Sequence, residues 1–215
     1  MQIKYSPQPL SIDSADWQGT TIDVASFRPE SSDHRPQVTL TLAHDEQALK
    51  GLFVVNDRYV RCVKQHFQDM VCEDSCVEIF LQPHDNPKGS YLSLEISGNG
   101  TLLSYLIHDP TRTESGFVDY RPLTTSEGGQ YKVITSLPKM VDPELDQPTT
   151  WHAAFEIPKQ LLRELFGDQY SDTNKWRMNA FKCGDQTSHP HWASWQPVPE
   201  FNFHDPSAFA LIELT

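Results

Sequence analysis

Residues Cys76-Val-Glu-Ile-Phe-Leu-Gln82 and Tyr91-Leu-Ser-Leu-Glu-Ile-Ser97, separated by Pro83-His-Asp-Asn-Pro87-Lys-Gly89, carry the reading of the fold. In both runs apolar residues recur at every second position, Val77, Ile79 and Leu81 in the first and Leu92, Leu94 and Ile96 in the second. A β-strand turns successive side chains to opposite faces, whereas a helix repeats every three or four residues, so this period predicts strands. The Pro, Asp, Asn and Gly between the runs are turn formers, which bounds both elements.

The same pattern extends outward in both directions. Val38–Leu42, Leu52–Val55, Tyr59–Val63, Thr101–Ile107, Tyr131–Thr135, Trp151–Ile157 and Phe209–Leu214 alternate or are rich in β-branched and aromatic residues, and turn signals such as Ser97-Gly-Asn-Gly100 punctuate them. Many short strands at this spacing predict an all-β fold, an antiparallel β-sandwich of immunoglobulin-like or jelly-roll type. One short helix interrupts it. Pro158 suits a first helical position, Leu161, Leu162, Leu165 and Phe166 recur at helical spacing, and Gly167 is placed to end the helix. The Pro- and acid-rich segment Leu137–Thr150 reads as a surface loop, and residues 1–215 read as a single domain, without repeats or low-complexity tracts.

Seventeen Lys and Arg stand against 29 Asp and Glu, a formal net charge of −12. That balance repels phosphate backbones and anionic lipid, so no nucleic acid and no membrane partner is expected; neutral ligands or cations fit better. Cys62, Cys72, Cys76 and Cys183 are too few for a disulfide scaffold and lack zinc-ribbon spacing, which predicts free thiols. The N-terminal MQIKYSPQPLSIDSADW has no apolar run of signal-peptide type, and a cytoplasmic location is the expectation, or an exported one if a leader has been removed.

Candidate functional residues concentrate near the C-terminus, in Trp176-Arg-Met-Asn-Ala-Phe-Lys-Cys183 and the run to His204. Pro190, Pro197 and Pro199 forbid a long helix around Trp192 and Trp195, so both rings are expected on a loop or strand end, where an indole suits stacking on a sugar ring. Each would equally serve to cap a core edge. Alternation places Ser93, Glu95 and Ser97 on one face of their strand, and Glu78 opposes Val77 and Ile79. Glu78, Ser93 and Glu95 are therefore expected to line a groove or to sit on a solvated face, with Lys182 or Arg61 as a cationic partner for Glu78 should it be buried.

Other constellations are thinner. His189-Pro-His191 supplies only two metal ligands, and the acidic group Asp69, Glu73 and Asp74 is a candidate structural calcium site without a recognised ligand spacing. Glu78 and Glu95 are also the candidate carboxylate pair of a glycosidase. Trp176, Arg177 and Asn179 read as structural, the ring packing and the polar pair tying strand to loop.

Taken together, Glu73–Leu81, Tyr91–Gly100, Trp151-x-x-x-Phe155-Glu156-Ile157-Pro158, Trp176-Arg177-x-Asn179 and Phe203-His204-x-Pro206 with Phe209 resemble carbohydrate-binding module family 9, over most of the chain from about Leu52 onward. The resemblance implies a β-sandwich related to the DOMON folds and a non-catalytic module that holds a glycan end between two tryptophans. In that family a tryptophan lies six residues before the glutamate of the Val-Glu strand, where this chain has Cys72; its sugar-binding arginine and asparagine on the next strand are replaced by Ser93 and Glu95. The second tryptophan corresponds to Trp192 or Trp195.

The expectation is thus non-catalytic binding of a neutral saccharide, in carbohydrate catabolism, through Trp192, Trp195, Glu78, Ser93, Glu95 and Lys182, without a cofactor. A glycoside hydrolase, or an accessory subunit with a glycoside hydrolase partner, is the alternative. A haem-binding DOMON-type domain is a second, with Met70, Met178 or a His as axial ligand.

Overall fold

In the computed structural model, which describes residues 1–114 and 116–215, the period-two runs are strands. In chain order these are β1 (Gln2–Tyr5), β2 (Thr20–Asp23), β3 (Ser26–Phe27), β4 (Gln37–His44), β5 (Ala48–Asp57), β6 (Val60–Cys62), β7 (Cys76–Gln82) and β8 (Tyr91–Ser97). They continue with β9 (Leu102–Thr113), β10 (Gly116–Pro122), β11 (Lys132–Thr135), β12 (Val141–Leu145), β13 (Thr149–Pro158), β14 (Lys175–Cys183), β15 (Trp192–Ser194) and β16 (Ala210–Leu214).

Two sheets face each other. One has the order β10-β9-β8-β7-β14-β16, with β15 pairing β14 and β3 beyond it; the other runs β4-β5-β13-β11 with β2 against β4. Strand β1 joins them, pairing parallel to β16 through Gln2 and Ile3 and parallel to β4 through Lys4 and Tyr5. All other pairings are antiparallel. The fold is an all-β sandwich, as the alternation predicts.

The main core lies between the sheets. It takes Leu40, Phe53 and Phe155 from one and Val77, Ile79, Leu92, Leu94, Trp176 and Met178 from the other, with Trp151 fully buried as well. Fully burying one such large side chain stabilises by about 1.5–3 kcal/mol. Helix α2 (Lys159–Phe166) sets Leu161, Leu162 and Phe166 onto this core. Pro158 is its N-cap and still belongs to β13, and Gly167 ends it at φ 49°, a left-handed value that suits glycine. A separate four-residue turn, α1 (Thr125–Gly128), follows a capping box in which Thr124 and Glu127 satisfy each other's backbone N–H.

Two features depart from the sequence reading. The segment from Leu137 is not loop throughout, because β12 pairs with β6 through Val141↔Cys62 and Leu145↔Val60. Strand β9 runs six residues beyond Ile107 and pairs with β10, a charged hairpin whose polar composition hides its strand character.

The outer face of the longer sheet decides where a site can form. Every residue of β7 and β8 is buried, on both faces. The outward set, including Phe80, Tyr91 and Phe181, is covered by the C-terminal segment through Val198, Phe203 and Phe209 and by Phe117 of the β9–β10 hairpin. Asn179 anchors that segment, donating to the Gln196 carbonyl at 3.0 Å and accepting from its N–H at 2.9 Å, and Arg177 donates to the Phe209 carbonyl at 2.6 Å. Among the described residues no helix is long and apolar enough to cross a membrane.

Candidate functional site

The cover is incomplete, and the gap is a cavity of about 410 Å³ on the outer face of the longer sheet. Its floor is the β7–β8–β14 surface: Glu78 faces Glu95 directly across the strand pair, and Cys183 of β14 lies alongside. One wall carries Met70, Cys72, Asp185 and Trp192; the other carries Tyr105, Arg112, Phe117 and Tyr120. Phe201 to His204 close the rim. Apolar rings surrounding a few convergent polar groups are the usual make-up of a small-molecule site.

Trp192 opens β15, whose pairing with β14 sets Trp192 opposite Cys183. Its indole Nε1–H donates to Asp185 Oδ1 at 2.7 Å, and Phe201 meets its ring edge-on with centroids 4.7 Å apart. The ring is half-buried and lines the cavity. Trp195, three residues after Trp192 and so out of step with its face, packs against the main core instead and does not reach the cavity.

The floor is electrostatically unusual. Glu78 is 3 % and Glu95 4 % exposed, and burial pushes both carboxyls up, Glu78 to about 7 and Glu95 well above the usual carboxylate range, where the neighbouring Glu78 charge adds to the effect. Glu78 accepts a hydrogen bond from the Cys183 thiol at 2.6 Å. Asp185 is raised as well, by burial first, against the pull of the Trp192 N–H. Arg112 is the cation on the opposite wall, and its charge works to lower Glu95. On the rim, burial lowers His204 to about 3, so its imidazole is neutral and bonds to the Tyr91 hydroxyl at 2.9 Å.

Of the six residues picked out from sequence, the structure brings Trp192, Glu78 and Glu95 together and leaves Trp195, Ser93 and Lys182 out. Ser93 is fully buried under β9, its Oγ accepting from the Tyr105 N–H at 3.2 Å. Lys182 alternates with Phe181 and Cys183 and so points to the other face, into the sandwich. There its ammonium lies 2.7 Å from His191 Nε2, 3.4 Å from Asp57 Oδ2 and 2.9 Å from the Cys183 carbonyl. Glu78 therefore has neither proposed cation beside it: Lys182 pairs with Asp57, and Arg61 with Asp74 at 3.5 Å.

The weaker constellations also resolve. Asp74 accepts from the Val63 and Lys64 backbone N–H groups and from Ser97, Asp69 accepts from the Gln65 and His66 N–H groups, and Glu73 pairs with Lys64, so the three carboxylates serve separate donors. His189 stacks on Tyr59 at 3.7 Å while His191 turns inward to Lys182. Met178 is fully buried between the sheets. Cys62, Cys72, Cys76 and Cys183 are all free thiols.

Several cavity residues escaped the sequence reading. Arg112, Phe117 and Tyr120 lie on the hairpin that polar composition concealed. Asp185 and Cys183 had a legible signal, since two-residue spacing beyond Phe181 continues one face of β14 toward the tryptophan loop.

Residues 6–214 match the carbohydrate-binding family 9 model. The chain belongs to this family. No curated protein matches it significantly. Among solved structures it is similar to a Bacteroides uniformis protein assigned provisionally to carbohydrate binding, at 24% identity and a TM-score of 0.77, over 91% of this chain and 86% of that one. It is also similar to a family 9 module from Caldicellulosiruptor kristjanssonii solved with glucose (11% identity, TM-score 0.65, 100% and 95% covered). The cellotriose complex of a family 9 module from that organism gives 14% identity and a TM-score of 0.58 over 100% and 92% of the chains. At these identities the likeness is one of fold.

Proposed function

We propose that this chain is a non-catalytic saccharide-binding domain whose site is the cavity lined by Trp192, Glu78, Glu95 and Asp185. The observation that carries the reading is the indole of Trp192 held edge-on by Asp185 beside the paired carboxyls of the floor. The hydrogen bond to Asp185 lies in the plane of the ring, so it leaves the π-face for the C–H face of a pyranose. Raised carboxyls offer both donor and acceptor oxygens to vicinal hydroxyls, which a pair of fixed carboxylates does not. Family membership, and the glucose and cellotriose complexes of family 9 modules from Caldicellulosiruptor kristjanssonii, support a saccharide as the ligand class.

Binding is favoured over hydrolysis by the disposition of the two glutamates. Glycosidase carboxyls flank the scissile bond from opposite sides. Glu78 and Glu95 sit side by side on one sheet floor, directly opposite each other in register. A role in carbohydrate catabolism, alone or beside a glycoside hydrolase partner, is the setting in which such a domain serves. Titration calorimetry with glucose, cellobiose and a glycan panel tests the reading: saturable binding abolished by Trp192→Ala is expected, and release of reducing sugar or absence of any binding would overturn it.

A further inference from the structure

Beneath the saccharide cavity three thiols and three carboxyls gather: Cys72, Cys76 and Cys183 with Glu78, Glu95 and Asp185. Sheet geometry places the central three. Cys76 and Cys183 are register partners across β7 and β14, and Glu78, two residues along from Cys76, shares its face. The two sulfurs and a Glu78 carboxylate oxygen all lie within 4.8 Å of one another, and all three residues are buried, Cys76 fully and Cys183 to 1 % exposure. The Cys183 thiol donates to Glu78 Oε1 at 2.6 Å, and the Cys76 thiol donates to the Val77 carbonyl at 3.5 Å.

We propose that Cys76, Glu78 and Cys183 bind a thiophilic divalent cation of the zinc class, with the remaining coordination position open to the cavity. Tetrahedral bonds of about 2.3 Å to sulfur and about 2.0–2.2 Å to oxygen require donors about 3.5–3.8 Å apart, which small side-chain rotations of this cluster supply. Two thiolates with one carboxylate favour zinc-class over hard, oxygen-seeking cations such as calcium. Binding replaces protons: both thiols, and Glu78 where it is protonated, release theirs to solvent as the metal bonds form, so affinity rises with pH. Burial raises the Cys76 thiol to about 12 and the Cys183 thiol well above its usual range, and a bound cation offsets that cost directly.

The other buried cluster of metal-type donors, His34, Asp57 and His191, differs in one respect. The Lys182 ammonium already stands between His191 and Asp57, supplying the positive charge a metal would bring. Around the thiol cluster Glu95 on the floor and Cys72 and Asp185 on the wall are potential anions; the cations whose charge reaches the cluster and its floor, Lys182 on the other face of β14 and Arg112 on the opposite wall, make no ion pair with Glu78.

The test uses the full reduced chain without saccharide, so that failure of sugar binding leaves it unaffected. Cobalt(II) titration should give a thiolate-to-metal charge-transfer band and tetrahedral visible bands, saturating at one equivalent and abolished by zinc but not by excess calcium. Cys183→Ser and Glu78→Gln should each weaken zinc binding by more than the roughly 10–100-fold that loss of a merely supporting outer-shell partner costs, while Cys62→Ser, buried beside Gly98 and outside the cluster, leaves it unchanged. No charge-transfer band in the wild-type chain, displacement by calcium, or an unaltered band in folded Cys183→Ser would overturn the proposal. Should Cys183→Ser fail to fold, Glu78→Gln and Cys76→Ser decide by the same criteria.

Discussion

Trp192 and Asp185 are joined by an indole-to-carboxylate hydrogen bond of 2.7 Å, and this bond orients the half-buried ring on the cavity wall, where it also packs against Phe201. Trp192→Ala should therefore abolish saccharide-induced fluorescence change at a stability cost of only about 1 kcal/mol. Trp176→Ala and Trp151→Ala, which empty fully buried sites, should cost about 3–5 kcal/mol each. Trp195→Ala should destabilise through the main core and leave the affinity of the folded protein intact. Urea unfolding of the four variants beside calorimetric titration separates these outcomes; loss of binding in Trp195→Ala alone would reverse the assignment.

A weak monosaccharide affinity is expected. The position that would carry a second tryptophan is Cys72, and one aromatic contact adds about 0.5–1.5 kcal/mol beyond its burial. Calorimetry with glucose should give a Kd weaker than about 1 μM; tighter binding would mean that Phe201 or the Tyr105–Tyr120 wall acts as a second plate.

The floor carboxyls should make stability fall as pH rises. Glu78 is raised from 4.5 to about 7 and Glu95 well above 4.5, so the folded state holds their protons more tightly than the unfolded chain does. Their contribution is fully present below the unfolded value and is lost as pH rises through the folded one, which for Glu78 is about 7. Thermal unfolding between about pH 5 and pH 8 should show Tm declining, with Glu78→Gln and Glu95→Gln each flattening the slope and stabilising the chain at the upper end. An unchanged slope in both variants would show that other groups govern it.

Lys182 should matter to folding and not to ligand. Burial works to raise Asp57, but the Lys182 ammonium, with the His34 hydrogen bond, holds its carboxyl well below the usual range. Lys182→Ala strands that buried charge, at an expected cost of about 3–5 kcal/mol, whereas Lys182→Met with Asp57→Asn should recover much of it. A depressed carboxyl has the opposite sign to the floor pair: its stability is present above the unfolded value of 3.8 and is lost as pH falls. Saccharide affinity of the folded double variant should equal that of the native chain.

The thiols give a direct chemical check. With all four cysteines free, alkylation of denatured chain without reductant should modify Cys62, Cys72, Cys76 and Cys183. In the folded chain modification should be slow, because burial raises each thiol above its usual range, Cys62 to about 11. Two unmodified cysteines after denaturation would indicate a disulfide.

The sequence by itself determined the strands, because side-chain alternation is a local property of an extended backbone: Val77, Ile79 and Leu81 enter the core as their spacing requires, and Leu92, Leu94 and Ile96 join them. It also determined that Glu78 and Glu95 share a face. Tertiary structure decided what lies on that face. A two-sided strand looks the same in sequence whether its polar side meets water or a folded-back segment, and only the return of residues 196–209, pinned by Asn179 and Arg177, turns that side into a closed floor with shifted carboxyls. Lys182 shows the same limit from the other direction: its position in step with Trp176, Met178 and Ala180 places it inside, but its charge argues for the outside, and the buried Asp57 that resolves the conflict is supplied by a strand 125 residues away.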